Sequence, residues 1–482
     1  MTKEFEKLES TLGECGVLGK HFVPQQLFCK ERSLLPQFLS TLGQQAVVFV
    51  DGVSKKCEGA TEIDSVFREA LCASGISFDW INTSEVLNVL PPNLQASCSH
   101  IATLREITRA HSAKTFVVLG SGTLTDLVKY ALHEEQIYSK LVSIPTAISV
   151  TAYTSQFSIL DWHGAKRTKL SRCPDTVIWV HPFVANAPHA MSKAGYGDLL
   201  APFLAYGDWA LAHALGFAPS YSDLAMRLLK PFLESIKKCS RNVGENLLDL
   251  KTTEILCASL GMAGIGMSAA GETAPFSGCE HAISHGLDFL RTVSHRPHVL
   301  HGEQVALACL ASAALFDWFL ATPKPDVRKW RTDTLEEYLE ILRSQFEAAP
   351  YWGESEFTFT PQERRKKQQE IEDTLKKAEL EFHSDYSKKA TLWRAQISMR
   401  KALAENWESL QHTIATLTMR SSDLEKLMRE ACLPLSPEDT NPRTTPMEYR
   451  WAVRFAPFVR NRLSIADLAF WMGEDPAILA GL

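Results

Sequence analysis

No C-x-x-C pair occurs in this sequence. Its eleven cysteines are scattered singly from Cys15 to Cys432, an odd number without metal-knuckle or dithiol spacing, so no disulfide framework is implied and reduced thiols point to the cytoplasm. Positive charge is not in excess either: 50 Lys and Arg stand against 56 Asp and Glu, a net charge of -6, which argues against a nucleic-acid groove. The segment Met1 to Lys7 lacks the apolar stretch of a signal peptide, and no window reads as the roughly 18 apolar residues of a membrane span. Neither leader nor span is expected. No internal repeat is visible. What remains is 482 residues, 45% hydrophobic and 22% charged, the profile of a globular protein of two or three domains with small-molecule partners.

From about residue 44 to 180, short β-branched runs alternate with helical stretches, the signature of an α/β layer with a parallel sheet. Ala46–Val50 ends in Asp51-Gly52, Thr115–Leu119 in Gly120-Ser121-Gly122, and Leu141–Ile144 in Pro145-Thr146. Each strand stops at turn chemistry, where α/β proteins place ligands. Phe157–Ile159 and Thr168–Leu170, joined through His163-Gly164, read as a hairpin, and Thr176–Val180 as a final strand. Beyond about residue 183 the pattern is helical. We therefore expect an α/β domain over residues 1–182 and a helical domain over 183–482, with a charged helical insertion around 340–405 read as a solvated face. Pro434–Pro446 leads to a last amphipathic helix, Met447–Arg460.

Five of the fifteen histidines fall within twenty-one residues, from His281 to His301. Neutral imidazole is the commonest metal ligand and a proton carrier. His281 and His285 lie four apart and share a helix face, while His301 opens an apolar run to Phe316, so imidazoles can converge from separate elements. His295 and His298 flank Arg296-Pro297, a loop signature, and read as surface residues. Gly120-Ser121-Gly122-Thr123 lies between a strand and a helix, where backbone amides can cradle a phosphate. A third glycine is missing, since Thr125 stands in its place, so a plain structural turn fits equally. Asp51 can accept from an adenosine ribose, favouring NAD with NADP still open, or be a turn residue.

In order and spacing, Gly120-Ser-Gly-Thr-Leu-Thr-Asp126, Ile144-Pro-Thr-Ala147, Ala194-Gly-Tyr-Gly-Asp198, Asp208-Trp209, Ser277-Gly-Cys-Glu-His281, His301-Gly-Glu-Gln-Val305 and Arg460-Asn-Arg462-Leu-Ser-Ile resemble the dehydroquinate-synthase-like superfamily of metal-dependent alcohol and glycerol dehydrogenases. The nearest likeness is to the sn-glycerol-1-phosphate dehydrogenase branch. It covers residues 44 to about 320 and 405 to 470. The resemblance implies a dinucleotide-binding domain, a helical metal-binding domain and a cleft between them. It assigns a divalent metal, zinc or nickel ahead of iron, to Asp198, His281 and His301. One carboxylate and two imidazoles suit such an ion and leave a position open. It also extends the cofactor cleft to Thr123, Asp126, Thr146, Ser149 and Ser155. The fourth ligand of some members, four residues after the aspartate, is here Pro202. His285 is then a proton relay, its ordinary pKa being near neutral, or a packing hydrogen bonder. Glu280 and Glu303 can orient the imidazoles or sit as helix-end charges. A homo-oligomer is the family expectation.

Two positions depart from the pattern. Thr151 occupies the catalytic aspartate slot of glycerol-type members, and a hydroxyl is a weaker acceptor than a carboxylate. Ala274 stands where the glycerol-1-phosphate branch carries arginine, leaving Lys166, Arg167, Lys169 and Arg291 as candidate phosphate anchors. The expected activity is a metal-dependent, NAD(P)-linked dehydrogenase interconverting dihydroxyacetone phosphate and sn-glycerol 1-phosphate, or a related polyol and ketose. A dehydroquinate-synthase-type cyclase and a degenerate binding homologue are the alternatives.

Overall fold

The computed structural model describes residues 2–91, 94–112, 114–162, 164–350 and 361–482, with backbone alone for residue 41 and residues 361–368. Six parallel strands form the main sheet: β1 (Gln25–Cys29), β2 (Gln45–Val50), β3 (Ser77–Asn82), β4 (Thr115–Gly120), β5 (Leu141–Pro145) and β8 (Thr176–Val180), in the order β1-β8-β5-β4-β2-β3. The four inner strands are the ones legible as apolar runs. Parallel strands covered on both faces read that way: Val48 lies in register with Val117 and Val118 with Ser143. Val48 packs with Phe67 and Leu71 on one face, while Val47 and Phe49 pack with Leu104 and Leu124 on the other. The two edge strands, β1 and β3, are absent from the sequence reading. β3 is partly exposed along most of its length, so its pattern lacks a continuous apolar run.

A second, two-stranded antiparallel sheet joins β6 (Phe157–Trp162) and β7 (Ala165–Leu170). His163, read as part of the turn, lies outside the described residues. Chain direction across the main sheet reverses between β2 and β4, so their carboxyl ends flank a crevice of the kind that holds ligands in open α/β sheets.

Among the described residues every element after β8 is helical. The helices that shape the site are α1 (Gly122–Glu134), directly after β4, then α2 (His189–Asp198), α3 (Pro202–Ala214), α4 (Leu250–Ala270), α5 (Cys279–Val293), α6 (His301–Ala321), α7 (Pro361–Ala395), α8 (Pro446–Val459) and α9 (Ile465–Trp471). The helix Lys3–Glu14 also packs on this part, with Phe5 and Leu8 in its core and the Glu4 amide donating to Glu254 at 2.7 Å.

Three expectations change here. Both α4 and α6 are long and apolar enough to cross a membrane by length and composition, contrary to the sequence reading. In the structure they are core helices, 89% and 67% buried. The charged stretch is not simply solvated: α7 buries Phe382, Tyr386, Ala390 and Trp393, spaced four, four and three apart to form one face. The last amphipathic helix is not last, because α9 follows it and packs on it.

Candidate metal and cofactor cleft

A cleft of about 780 Å³ runs between the carboxyl ends of the sheet and the amino ends of α5 and α6. At its helical end, Asp198 closes α2, His281 sits in the first turn of α5, and His301 opens α6. Glycines let α2 and α6 meet closely enough. A Cβ on Gly197 would stand 2.2 Å from the Gly302 carbonyl oxygen, and one on Gly302 would stand 1.7 Å from that of Ala194.

The Asp198 Oδ1 lies 3.5 Å from His281 Nε2 and 3.8 Å from His301 Nε2. These separations are long for hydrogen bonds. They suit donors around one ion, since bonds of about 2.0 to 2.2 Å at tetrahedral angles hold ligand atoms roughly 3.3 to 3.6 Å apart. All three ligand atoms lie within 4.8 Å of one another. Asp198 Oδ2 is already engaged, accepting from the Thr151 backbone N–H at 3.0 Å. Glu280 Oε1, 2.9 Å from His281 Nδ1, orients the ring so that Nε2 faces Asp198 and His301. Burial opposes the charge on Asp198, but the two imidazoles and the Thr151 amide outweigh it and hold the carboxyl below its ordinary range. Burial likewise opposes protonation of His281, yet Asp198 and Glu280 prevail and raise it, whereas burial lowers His301.

His285, one turn beyond His281, is 4% exposed and receives the Arg460 Nη2–H group, 2.8 Å from Nε2 and 3.1 Å from Nδ1. A ring nitrogen accepting from a guanidinium is unprotonated. Burial first, and Arg460 second, push the His285 pKa well below 6.5. The near-neutral titration assumed from sequence is thus replaced by a neutral imidazole. Arg460 Nη1 also donates to Ser277 Oγ at 2.8 Å, and Arg462 donates to the Ser277 carbonyl and Thr273 Oγ1 at 2.6 and 3.0 Å. Burial and then the neighbouring Arg462 push Arg460 down to about 9, still charged at neutral pH.

Of the four cations considered from sequence, only Lys166 lines the cleft. Arg167 pairs with Glu381 and Asp385, Lys169 lies over the Trp162 ring, and Arg291 donates to the Pro297 and Arg443 carbonyls. Ala274 is buried behind the cleft wall. His298, read as a surface residue, instead lines the cleft and lies 3.0 Å from the buried Asp288, because the loop after α5 folds back over it. His295 is exposed, with a positive φ of 51°. Glu303 accepts from the Asn441 amide rather than orienting a ligand.

At the sheet end, Ser121, Gly122, Thr123 and Thr146 line the cleft, as do Ser149, Thr151 and Ser155. Gly120 lies behind this surface, its carbonyl accepting from the Thr146 amide at 3.1 Å. Ser121 caps α1 without a side-chain hydrogen bond, so its own hydroxyl leaves the first-turn N–H groups to other partners. Asp126 lines it too, but its carboxylate is tied to Lys129 at 3.3 Å and the Ile159 amide at 3.2 Å. Ser155 Oγ accepts from the Phe157 amide, and Ser149 Oγ meets the Tyr153 hydroxyl. Asp51 is 6% exposed; its Oδ1 accepts from the Val53 amide at 3.0 Å and pairs with the Lys55 ammonium. Lys55, Lys56, Arg460 and Asp288 are cleft residues that sequence reasoning did not assign to the site. Only the Arg460-Asn-Arg462 motif offered a signal.

Residues 33–188 match the family model described as iron-containing alcohol dehydrogenase. Glycerol-1-phosphate dehydrogenase, NAD(P)+, of Bacillus subtilis (strain 168) is 29% identical over 195 residues, 40% of this chain and 48% of that protein. Its counterpart from Hyperthermus butylicus is 31% identical over 228 residues, 46% of this chain and 62% of that protein. Over part of its length, this chain is similar to glycerol-1-phosphate dehydrogenases. The chain spans about half the length of the first of those relatives. The iron-containing alcohol dehydrogenase of Corynebacterium glutamicum superposes with a TM-score of 0.50 at 13% identity, covering 95% of this chain and 98% of that one, which shows a shared fold. The family match ends at residue 188, ahead of Asp198, His281 and His301. The case for these three residues as a metal site therefore rests on their geometry.

Proposed function

We propose that the chain is a metal-dependent, NAD(P)-linked dehydrogenase acting on a small polyol or ketose, with dihydroxyacetone phosphate and sn-glycerol 1-phosphate as its substrate pair. The observation that carries this reading is one carboxylate and two imidazoles at ion-sharing distances, facing the same cleft as an uncapped helix start after a glycine turn. Asp198, His281 and His301 would hold a divalent ion, zinc or nickel ahead of iron, and the Ser121–Thr123 amides with Asp51 would hold the dinucleotide. When bound, the ion supplies Lewis-acid polarisation of a carbonyl and the nicotinamide supplies or accepts hydride. Neutral His285 can take or return the hydroxyl proton at a ring nitrogen. Arg460 and Lys166 are the cations available to a substrate phosphate, replacing the arginine absent at Ala274. Thr151 serves through its backbone N–H, which fixes the Asp198 carboxylate.

This reading divides the chain into a dinucleotide domain over 1–182 and a metal and substrate domain over 183–482. It includes cytoplasmic residence, supported by eleven free cysteines, and a homo-oligomeric state. Oxidation of NADH and NADPH is measured with dihydroxyacetone phosphate and with dihydroxyacetone, before and after chelation. Chelator-sensitive turnover favouring the phosphorylated ketose by about tenfold or more is expected. Equal rates on both would remove the phosphate assignment. Absence of turnover on either would overturn the dehydrogenase.

A further inference from the structure

The turn that carries Arg460 and Arg462 is gripped from behind by a single buried ammonium. Lys389, on α7, is 1% exposed. Its Nζ donates to the Pro457 carbonyl at 2.5 Å and the Arg462 carbonyl at 3.2 Å, and pairs with Asp467 Oδ1 at 2.5 Å. The ammonium thus donates to two carbonyls and neutralises one carboxylate. These three partners lie on three consecutive pieces of chain: the last turn of α8, the connecting turn, and the first turn of α9. Helix α8 ends at Val459, so the Pro457 carbonyl is one of the terminal acceptors a helix leaves unpaired, and a cation is favoured there.

The grip is anchored by aromatic packing. Tyr386 meets Phe458 at 4.7 Å between ring centroids, Phe382 meets Phe455 at 5.3 Å, and Trp393 stacks on Trp471 at 4.1 Å. These contacts hold α7 across α8 and α9, with Lys389 beneath the turn between them. On the other side of that turn Arg460 reaches His285 and Ser277, and Arg462 reaches Ser277 and Thr273.

We propose that Lys389 is a positioning residue for the substrate cleft, using its two carbonyl contacts to fix the turn that aims Arg460 at the substrate and at His285. The role in substrate binding rests on the dehydrogenase reading above; the grip on the turn does not. It gives α7, in the charged stretch least like the family, a task in the active site. A merely structural Lys389 would serve only to neutralise buried Asp467, and the two roles separate by substitution. Lys389→Met removes both. Lys389→Met combined with Asp467→Asn removes the unpaired charge while keeping an acceptor for the Ser464 amide, which Asp467 accepts at 2.8 Å.

Lys389→Met is expected to raise KM for dihydroxyacetone phosphate by about tenfold or more through displacement of Arg460, with NADH affinity and metal content unchanged. The double variant is expected to regain melting temperature while KM stays raised. In both variants, amide hydrogen exchange over residues 460–464 should accelerate by about tenfold or more relative to the unmodified protein. Recovery of KM together with stability in the double variant, or unchanged exchange over that turn, overturns the positioning role. If the unmodified protein turns over no ketose, the function fails separately, and the exchange measurement still decides whether Lys389 holds the turn.

Discussion

Two buried carboxylates stand at opposite ends of one cleft, and their surroundings differ in kind. Asp51 has its charge answered inside the chain by the Lys55 ammonium and the Val53 amide. Asp198 accepts one backbone N–H and otherwise faces two imidazoles, which supply positive charge only when protonated. A buried carboxylate without a lasting partner is costly, and without an ion His281 must bind its proton more tightly, as its raised pKa shows. The sheet end is therefore electrostatically complete before a ligand arrives. The helical end is not, and this incompleteness is what supports the proposed cation there.

Removing the incomplete carboxylate should break this contrast most severely. Asp198→Asn is expected to abolish stoichiometric metal uptake, measured by elemental analysis, and to lower turnover on the order of a thousandfold. His295→Ala, at an exposed position, should leave both untouched. Retained metal and turnover in Asp198→Asn would remove the ion from this site. Next in size, Arg460→Met should raise KM for the phosphorylated ketose by roughly 30-fold or more, equivalent to about 2 kcal/mol or more for a buried charge left unpaired. KM for the unphosphorylated ketone should change far less. Equal effects on both substrates would make Arg460 a wall residue rather than an anion anchor.

That Arg460 lines the cleft was only partly legible in the sequence. The inner strands announced themselves because burial on both faces forces continuous apolar runs, and the histidine cluster did so by density. Edge strands β1 and β3 did not, since one side of each is free of partners. Arg460 meets His285 across 175 residues of chain, a proximity no local pattern encodes. His298 was misassigned for a similar reason: Arg296-Pro297 marks a loop, but not that the loop folds over Asp288. The buried face of α7 was readable in principle from Phe382, Tyr386, Ala390 and Trp393. Its many charged neighbours masked that spacing.

The complete end of the cleft gives a smaller, sharper test. Because Lys55 answers Asp51 and Lys56 lines the same wall, a dinucleotide bound as proposed would present its ribose 2′-phosphate to cations as well as to the carboxylate. The sequence alone favoured NAD through Asp51; with Lys55 present, NADPH should also serve. Lys55→Ala leaves Asp51 uncompensated and should shift the ratio of kcat/KM for NADH over NADPH by about tenfold toward NADH, the scale of one charge-assisted hydrogen bond. An unchanged ratio would show that the 2′-position lies elsewhere.

The smallest expected effect is a pH dependence that separates the two ends without any substitution. Burial opposes protonation of His281, but Asp198 and Glu280 raise its pKa above the ordinary 6.5. In the metal-free protein this histidine stabilises the fold fully below 6.5, and that contribution is lost as pH rises through its folded value. Metal must displace the same proton, so ion binding strengthens over the same rise. His301 and His285, both lowered, are neutral in the folded state there and add no opposing slope above 6.5. Carboxylates outside the site titrate with and without metal alike. The difference in melting temperature between metal-loaded and metal-free protein therefore isolates the ligands. It should widen by about 2 °C per pH unit from pH 6.5 upward, until the folded His281 has lost its proton. Calorimetry on both forms across that range provides the measurement. A gap that stays constant would mean that no ligand proton is released, and that His281 does not face the ion.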